Sequence, residues 1–162
     1  MTWLVSRSWH NPPRRDGLRW GETVWTRGLE YVTLTVIEHS RPGETGPYEA
    51  KLFWCVDDRS HRLDGPARIE WIGWNLLSFL DLPSPDLIHW HTADHVSWYV
   101  RGVLIATGKE PPDLTNAIIR EKISKDPDWQ RWLIVARELG LMDSGLESLE
   151  SRTDLLKTLT DL

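Results

Sequence analysis

Leu29-Glu-Tyr-Val-Thr-Leu-Thr-Val-Ile-Glu-His39 is the stretch of sequence that decides the fold. β-Branched and aromatic residues fill it, and they are dense on both alternating faces, which is the pattern of a β-strand. Because both faces are largely apolar, the pattern favours a strand in the middle of a sheet over one at its edge.

Shorter strand-like segments follow, and turn-forming residues separate them. Asp57-Asp58 predicts a turn, and Arg101-Gly102 predicts a tight hairpin turn. Residues 75–88 fit either a short helical turn or an irregular loop, which Pro83 and Pro85 end. The further strands are predicted at residues 48–56, 67–74, 89–92, 96–100 and 103–107. This alternation of strands and turns predicts an antiparallel meander.

The sequence changes from strand-like to helix-like at Pro111-Pro112. Asp113 or Thr115 is placed to cap a first helix, and Asp126-Pro127-Asp128 is a strong signal for the start of a second. Gly140 is placed to end that second helix.

With a third helix predicted over residues 146–159, the chain reads as an α+β protein. An antiparallel, Trp-rich β-meander occupies residues 1–110. A C-terminal helical segment over residues 111–162 packs on or beside it as one structural unit. The length of 162 residues suits one such unit with its own core.

The composition argues against several classes of function. The formal net charge is −5, whereas binding to a phosphate backbone is driven by excess Lys and Arg. The single cysteine, Cys55, cannot form an internal disulfide, and no transmembrane stretch or signal peptide is evident. No Walker loop, G-x-G-x-x-G motif or G-x-S-x-G motif occurs. We therefore expect a cytoplasmic, non-enzymatic protein that needs no cofactor.

Tryptophan is the unusual residue, because 11 copies occur and nine of them lie within residues 1–98. Trp buries a large area and needs an acceptor for its N–H group. One interpretation places these residues in the core of a thin sheet. The other places several of them on an exposed surface for a partner, since Trp and Arg are enriched at binding hot spots. The residues selected for such a surface are Trp20, Trp25, Trp98, Arg19 and Arg101.

The most specific motif is His61-Arg-Leu-Asp-Gly-Pro-Ala67, which lies between two predicted strands. Asp64, Gly65 and Pro66 predict a structural turn in which Gly65 supplies a positive φ. Trp98-Tyr-Val-Arg-Gly-Val-Leu-Ile105 looks like the strand-turn-strand half of the same unit. Its counterpart in the first unit is Phe53-Trp-Cys-Val-Asp-Asp58.

Together these segments resemble the degenerate MORN-like repeats of bacteriophage and large-virus proteins, over about residues 48–105. The block Asp64-Gly-Pro-Ala67 matches well, whereas the block expected after Gly102 is missing. The resemblance implies an antiparallel meander, a viral origin and a role as scaffold or contact surface, and it implies no chemistry. We therefore expect a protein-binding module whose partner is a host protein or defence system, and the sequence leaves a homo-oligomer open.

A histidine cluster carries the alternative of an enzyme. His89, His91, Asp94 and His95 lie within seven residues, and alternation on a strand would point the first two to one face. Three imidazoles and a carboxylate would suit zinc in a small metal-dependent hydrolase. The other interpretation makes Ala93-Asp94-His95 a hairpin tip between two ordinary strands.

The N-terminal residues 1–28 run against the overall charge. They hold five arginines against two acids, with four tryptophans interleaved. Arg and Trp can stack on bases and contact phosphates, so this region carries the alternative of a nucleic-acid-binding module. The acidic balance of the remaining chain argues against it.

Overall fold

The computed structural model describes residues 2–10, 18–39, 48–73 and 75–141. The chain divides into two compact units, Met1–Pro111 and Pro112–Leu162. The helix predicted over residues 146–159 lies outside the described residues. Packing of the helical segment on the sheet stays a prediction.

Within the described residues, the first unit is an antiparallel sheet of eight strands, which confirms the predicted meander. The strands are β1 Leu4–His10, β2 Leu18–Arg27, β3 Glu30–His39, β4 Tyr48–Val56, β5 Arg59–Ser60, β6 Arg68–Gly73, β7 His95–Val100 and β8 Val103–Thr107. Their spatial order is β1-β2-β3-β4-β6-β7-β8, and the short β5 pairs with β4. The stretch that we expected to be central is β3, which lies between β2 and β4.

One face of this sheet forms the core, because alternate residues of the inner strands are buried. The large buried side chains of this face are Trp25, Leu34, Leu52, Trp54, Ile69, Trp71 and Trp98. The tryptophans therefore supply much of the core, as the first interpretation of the composition expects.

The stretch that the sequence left ambiguous covers this core face. It contains two 3-10 segments, Leu76–Asp81 and Pro85–Leu87. The hydroxyl of Thr23 donates a 2.8 Å hydrogen bond to the carbonyl of Leu80, and the indole of Trp25 donates to the carbonyl of Leu82 at 3.1 Å. These bonds satisfy buried donors of β2 and fix the covering segment on the sheet.

The prediction of a strand over residues 89–92 is wrong. His91-Thr92 forms a turn, and β7 begins only at His95. Asp94 accepts a 2.7 Å hydrogen bond from the backbone N–H of Ile72, and β6 pairs directly with β7. The stretch before His95 therefore returns the chain from the covering segment to the sheet, and it forms no hairpin with β7.

The second unit contains α1 Asn116–Lys125 and α2 Gln130–Leu139 within its described part. The Thr115 hydroxyl accepts a hydrogen bond from the N–H of Ile118, so Thr115 rather than Asp113 is the cap. Gly140 ends α2 with a φ of 62°. Within the described residues, no helix is long and apolar enough to cross a membrane.

Candidate functional site

The His61–Ala67 block forms the connection from β5 to β6, and a buried arginine lies at its centre. The Arg62 side chain lies with its guanidinium carbon 3.9 Å from the ring centre of Trp54. Its Nε donates to the Asp64 carboxylate at 3.1 Å, and its Nη1 donates to the carbonyl of Pro66 at 3.3 Å. Burial lowers the pKa of Arg62, and Asp64 opposes that shift. The Arg62 side chain therefore forms hydrogen bonds with both ends of the bend at Asp64, Gly65 and Pro66.

Gly65 is required for a different reason from the one expected. Its φ is not positive, so the predicted conformational role was wrong. A Cβ at this position would instead lie 2.5 Å from the Cζ atom of Arg62. Glycine is needed here because the guanidinium of Arg62 lies directly against the Gly65 backbone.

The same block joins the two hairpins β4–β5 and β7–β8. The Nδ1 atom of His61 accepts a 2.9 Å hydrogen bond from the N–H of Arg101. The N–H of Arg62 donates to the carbonyl of Tyr99, and that of Gly102 donates to the carbonyl of Ser60. The segment that follows β5 therefore bridges the two hairpins and fixes their relative position.

An open groove of about 570 Å³ lies beside this junction, on the sheet face opposite the core. Its lining residues come from five strands and two turns: Tyr31, Thr33, Phe53, Cys55, Asp58, Arg59, Ser60, Arg68, Tyr99 and Gly102. Binding pockets for small ligands typically measure about 300–1,000 Å³. We take this polar and aromatic groove as the candidate functional site.

Arg68 is the most strongly positioned cation of the groove. Its guanidinium carbon lies 4.7 Å from the ring centre of Tyr99 and 5.5 Å from that of Phe53. Its Nε donates to the hydroxyl of Ser60 at 3.2 Å and its Nη1 to the hydroxyl of Tyr99 at 3.4 Å. These partners are neutral, so the positive charge of Arg68 is oriented without being neutralised.

Arg59 adds a second positive charge. It is exposed, and it forms no ion pair with any of the residues that the structure describes. Asp58 is the acidic residue in the lining. The groove therefore offers two arginines against one carboxylate.

Tyr31 and Cys55 form the wall of the groove on the side of β3 and β4. The hydrogen bond to Cys55, together with burial and the charge of Asp58, raises the pKa of Tyr31 to about 12. Its hydroxyl therefore stays protonated at neutral pH and is hydrogen-bonded to the side chains of Cys55 and Asp58 within the groove wall.

The predicted surface of Trp and Arg side chains is only partly present. Trp25 and Trp98 are 0% and 5% exposed and belong to the core, so their selection as surface residues was wrong. Alternation places Trp98 on the buried face of β7, where its indole donates to the carbonyl of Gly108 at 2.8 Å. Trp20 is half-buried and stacks on His10 at 3.9 Å. Of the selected residues, Arg101 is the one exposed at a hairpin turn.

The three described arginines of the N-terminal region are engaged within the protein. Arg19 forms an ion pair with Glu38, and Arg27 pairs with Glu30 while lying over the ring of Trp3. The Arg7 guanidinium donates to the carbonyls of two residues in the covering segment. Arg14 and Arg15 lie outside the described residues. The interleaved Arg and Trp residues therefore pack against each other and against acidic side chains.

The histidine cluster is not brought together as a metal site. The rings of His89 and His91 are 6.5 Å apart and tilted to each other. Asp94 accepts the backbone N–H of Ile72, and His95 begins the next strand. Among the described residues, no group of three or more His, Cys, Asp or Glu side chains converges on a metal position.

Sequence reasoning missed the groove residues Tyr31, Phe53, Arg68 and Tyr99. Each lies at an alternate position of a correctly predicted strand, facing away from the core. The period of two was therefore the available signal. This alternation could not show that the four residues lie side by side, because their proximity depends on how four strands are aligned with one another.

Comparisons with known proteins found no match. No family model, no curated protein and no solved structure is similar to this chain.

Proposed function

We propose that this chain is a non-enzymatic protein-binding module whose groove receives an acidic segment of a partner protein. The observation that carries the proposal is Arg68, held between Phe53 and Tyr99 and oriented by two hydroxyl groups. An arginine that is already ordered loses less side-chain entropy when it binds a carboxylate. Aromatic residues and arginine are also the side chains most enriched at binding hot spots.

The charge of the groove supports an acidic ligand. Arg59 and Arg68 outnumber Asp58, which is the acidic residue of the lining. A carboxylate can accept two parallel N–H bonds from a guanidinium, which a neutral segment cannot do as strongly. The protein as a whole carries −5, so the attraction acts at short range in the groove and gives little long-range steering. The resemblance to viral repeat proteins supports a host protein as the partner.

The first test is selection of short random peptides displayed on a library, with the full chain as bait. We expect the selected peptides to be rich in Asp and Glu. Arg59→Glu should weaken the best peptide at least roughly tenfold, because a repulsive charge replaces an attractive one beside Arg68. Affinities are measured by fluorescence polarisation of a labelled peptide.

The matched control is Lys109→Glu, which makes the same charge change at an exposed residue outside the groove lining. We expect an effect of less than about twofold, because this residue lies outside the binding site. Equal losses in the two variants, or selected peptides without acidic residues, would contradict the proposal. Affinity capture from a nuclease-treated host lysate then uses the wild-type chain and the Arg59→Glu chain as separate baits. We expect the partner protein to be captured by the wild-type chain and not by the Arg59→Glu chain.

A further inference from the structure

β1 is an edge strand with few of the features that normally protect edge strands from pairing, because an inward-pointing charge at Arg7 is the one it has. All seven of its residues are exposed, and its register with β2 runs from Leu4 to His10 without a bulge. It contains neither proline nor lysine. Arg7 is the one formally charged residue of this strand. The Arg7 guanidinium donates hydrogen bonds to the carbonyls of Leu80 and Leu82. Natural proteins usually place charges, proline or bulges on such an edge.

The opposite edge of the sheet is different. The register of β8 with β7 shifts between Trp98 and Tyr99, and such an irregularity twists an edge away from further pairing. Two indole N–H groups, from Trp90 and Trp98, also bind the carbonyls of the chain that follows β8. The backbone of β8 is therefore protected along its length, whereas the protection of β1 is limited to Arg7.

The side chains of β1 are complementary to a second copy of the same strand. Val5 and Trp9 lie on one face, are 37% and 41% exposed, and flank Arg7 symmetrically. A two-fold axis through Arg7 would place Val5 of each copy opposite Trp9 of the other, and Ser6 opposite Ser8. Pairs of aromatic and β-branched residues, and pairs of hydroxyl residues, stabilise antiparallel strands.

We infer that β1 pairs antiparallel with β1 of a second copy of this chain, so that one sheet continues through a symmetric dimer. A symmetric interface makes each of these contacts twice. The two Arg7 residues face each other at the axis, and their like charges oppose pairing. This cost is reduced because each guanidinium is directed to the carbonyls of Leu80 and Leu82 in its own subunit. This inference does not depend on the groove, which lies on a different part of the sheet.

The test exchanges charge on β1 and measures the dimer dissociation constant by analytical ultracentrifugation over a concentration series. The wild-type chain is expected to show a monomer–dimer equilibrium. Ser6→Lys combined with Ser8→Lys places like charges opposite each other twice, and we expect the dissociation constant to rise roughly tenfold. The same effect is expected for Ser6→Glu combined with Ser8→Glu. An equimolar mixture of the two variants should restore a dimer, because Lys then faces Glu.

The matched control is Thr107→Lys, which adds a charge to an exposed residue of β8. Its dissociation constant should equal that of the wild-type chain. A wild-type chain that stays monomeric at every concentration overturns the inference, as does a dimer that the β1 variants leave intact. Far-UV circular dichroism checks folding. If a double variant fails to fold, an equimolar mixture of Ser6→Lys and Ser8→Glu replaces it, because these two positions face each other in the mixed dimer, which should then form more tightly than either variant dimerises alone.

Discussion

Replacement of Gly65 by alanine tests the structural account of the His61–Ala67 block. The new Cβ would lie 2.5, 2.6 and 2.9 Å from the Cζ, Nε and Nη2 atoms of Arg62. All three separations are too short for van der Waals contact, so the guanidinium must move. Its stacking on Trp54 is worth about 0.5–2 kcal/mol, and a hydrogen bond from a charged donor is worth about 1.5–3 kcal/mol.

Alanine also restricts the unfolded chain, which stabilises the folded state by about 0.4–1 kcal/mol where the backbone permits it. The balance for Gly65→Ala is a loss of roughly 2–4 kcal/mol in the free energy of unfolding. The assay is equilibrium denaturation in urea, followed by tryptophan fluorescence. With a urea dependence of about 2 kcal/mol per molar, the midpoint should fall by roughly 1–2 M.

Gly73→Ala is the matched control. Its Cβ would lie 3.9 Å from its nearest neighbour, the Cγ of Leu76, and its φ is not positive. We expect no loss of stability, or a gain of about 0.4–1 kcal/mol. In an Arg62→Ala background, Gly65→Ala should cost almost nothing, because the clashing group is gone. Equal stability of Gly65→Ala and Gly73→Ala in the wild-type background would refute the reasoning.

Two further changes test other parts of the structure. Trp98→Ala should lower the free energy of unfolding by about 3–5 kcal/mol in the same assay, because Trp98 fills the core; an unchanged midpoint would contradict its burial. In the helical unit, hydrogen bonds from the Trp132 indole, the Asp128 backbone and Arg131 lower the pKa of Asp126 to about 2. Because this pKa lies below the unfolded value, the stabilisation is complete above about pH 4 and is lost as the pH falls through about 2. An NMR titration of the Asp126 carboxyl carbon measures that pKa directly, and a titration midpoint near the unperturbed value would contradict the hydrogen bonds. In addition, Asp126→Asn should make the helical circular dichroism signal depend less on pH under acidic conditions.

Several local features were predictable because they depend on neighbouring residues. The strand at Glu30–His39 follows from its β-branched content. The turns at Asp57-Asp58 and Arg101-Gly102 have positive φ angles, as the chemistry of tight hairpins requires. Thr115 caps the start of α1 with its side-chain hydroxyl. Gly140 ends α2 because glycine, which has no side chain, readily adopts a positive φ.

Contacts between distant residues were not predictable in the same way. Arg62 and Gly65 lie in one motif, yet the need for glycine arises from where the Trp54 ring holds the guanidinium. Trp98 fits a surface or a core equally well until the pairing of β6 with β7 fixes which face is buried. A shift of one residue in that register would exchange the two faces.

The sequence by itself determined the α+β class, most of the strands and turns between Glu30 and Thr107, and the end of α2 at Gly140, because each depends on residues within a few positions of one another. The strands β1, β2 and β5 were not predicted individually, and α2 begins at Gln130 without the expected cap from Asp126. Tertiary structure alone decided which tryptophans form the core, that the histidines after residue 88 stay apart, and that Tyr31, Phe53, Arg68 and Tyr99 share one groove. Those outcomes depend on strand register and on the path of the covering segment between β6 and β7. Both are set by burial over the whole sheet, which no local stretch of sequence specifies.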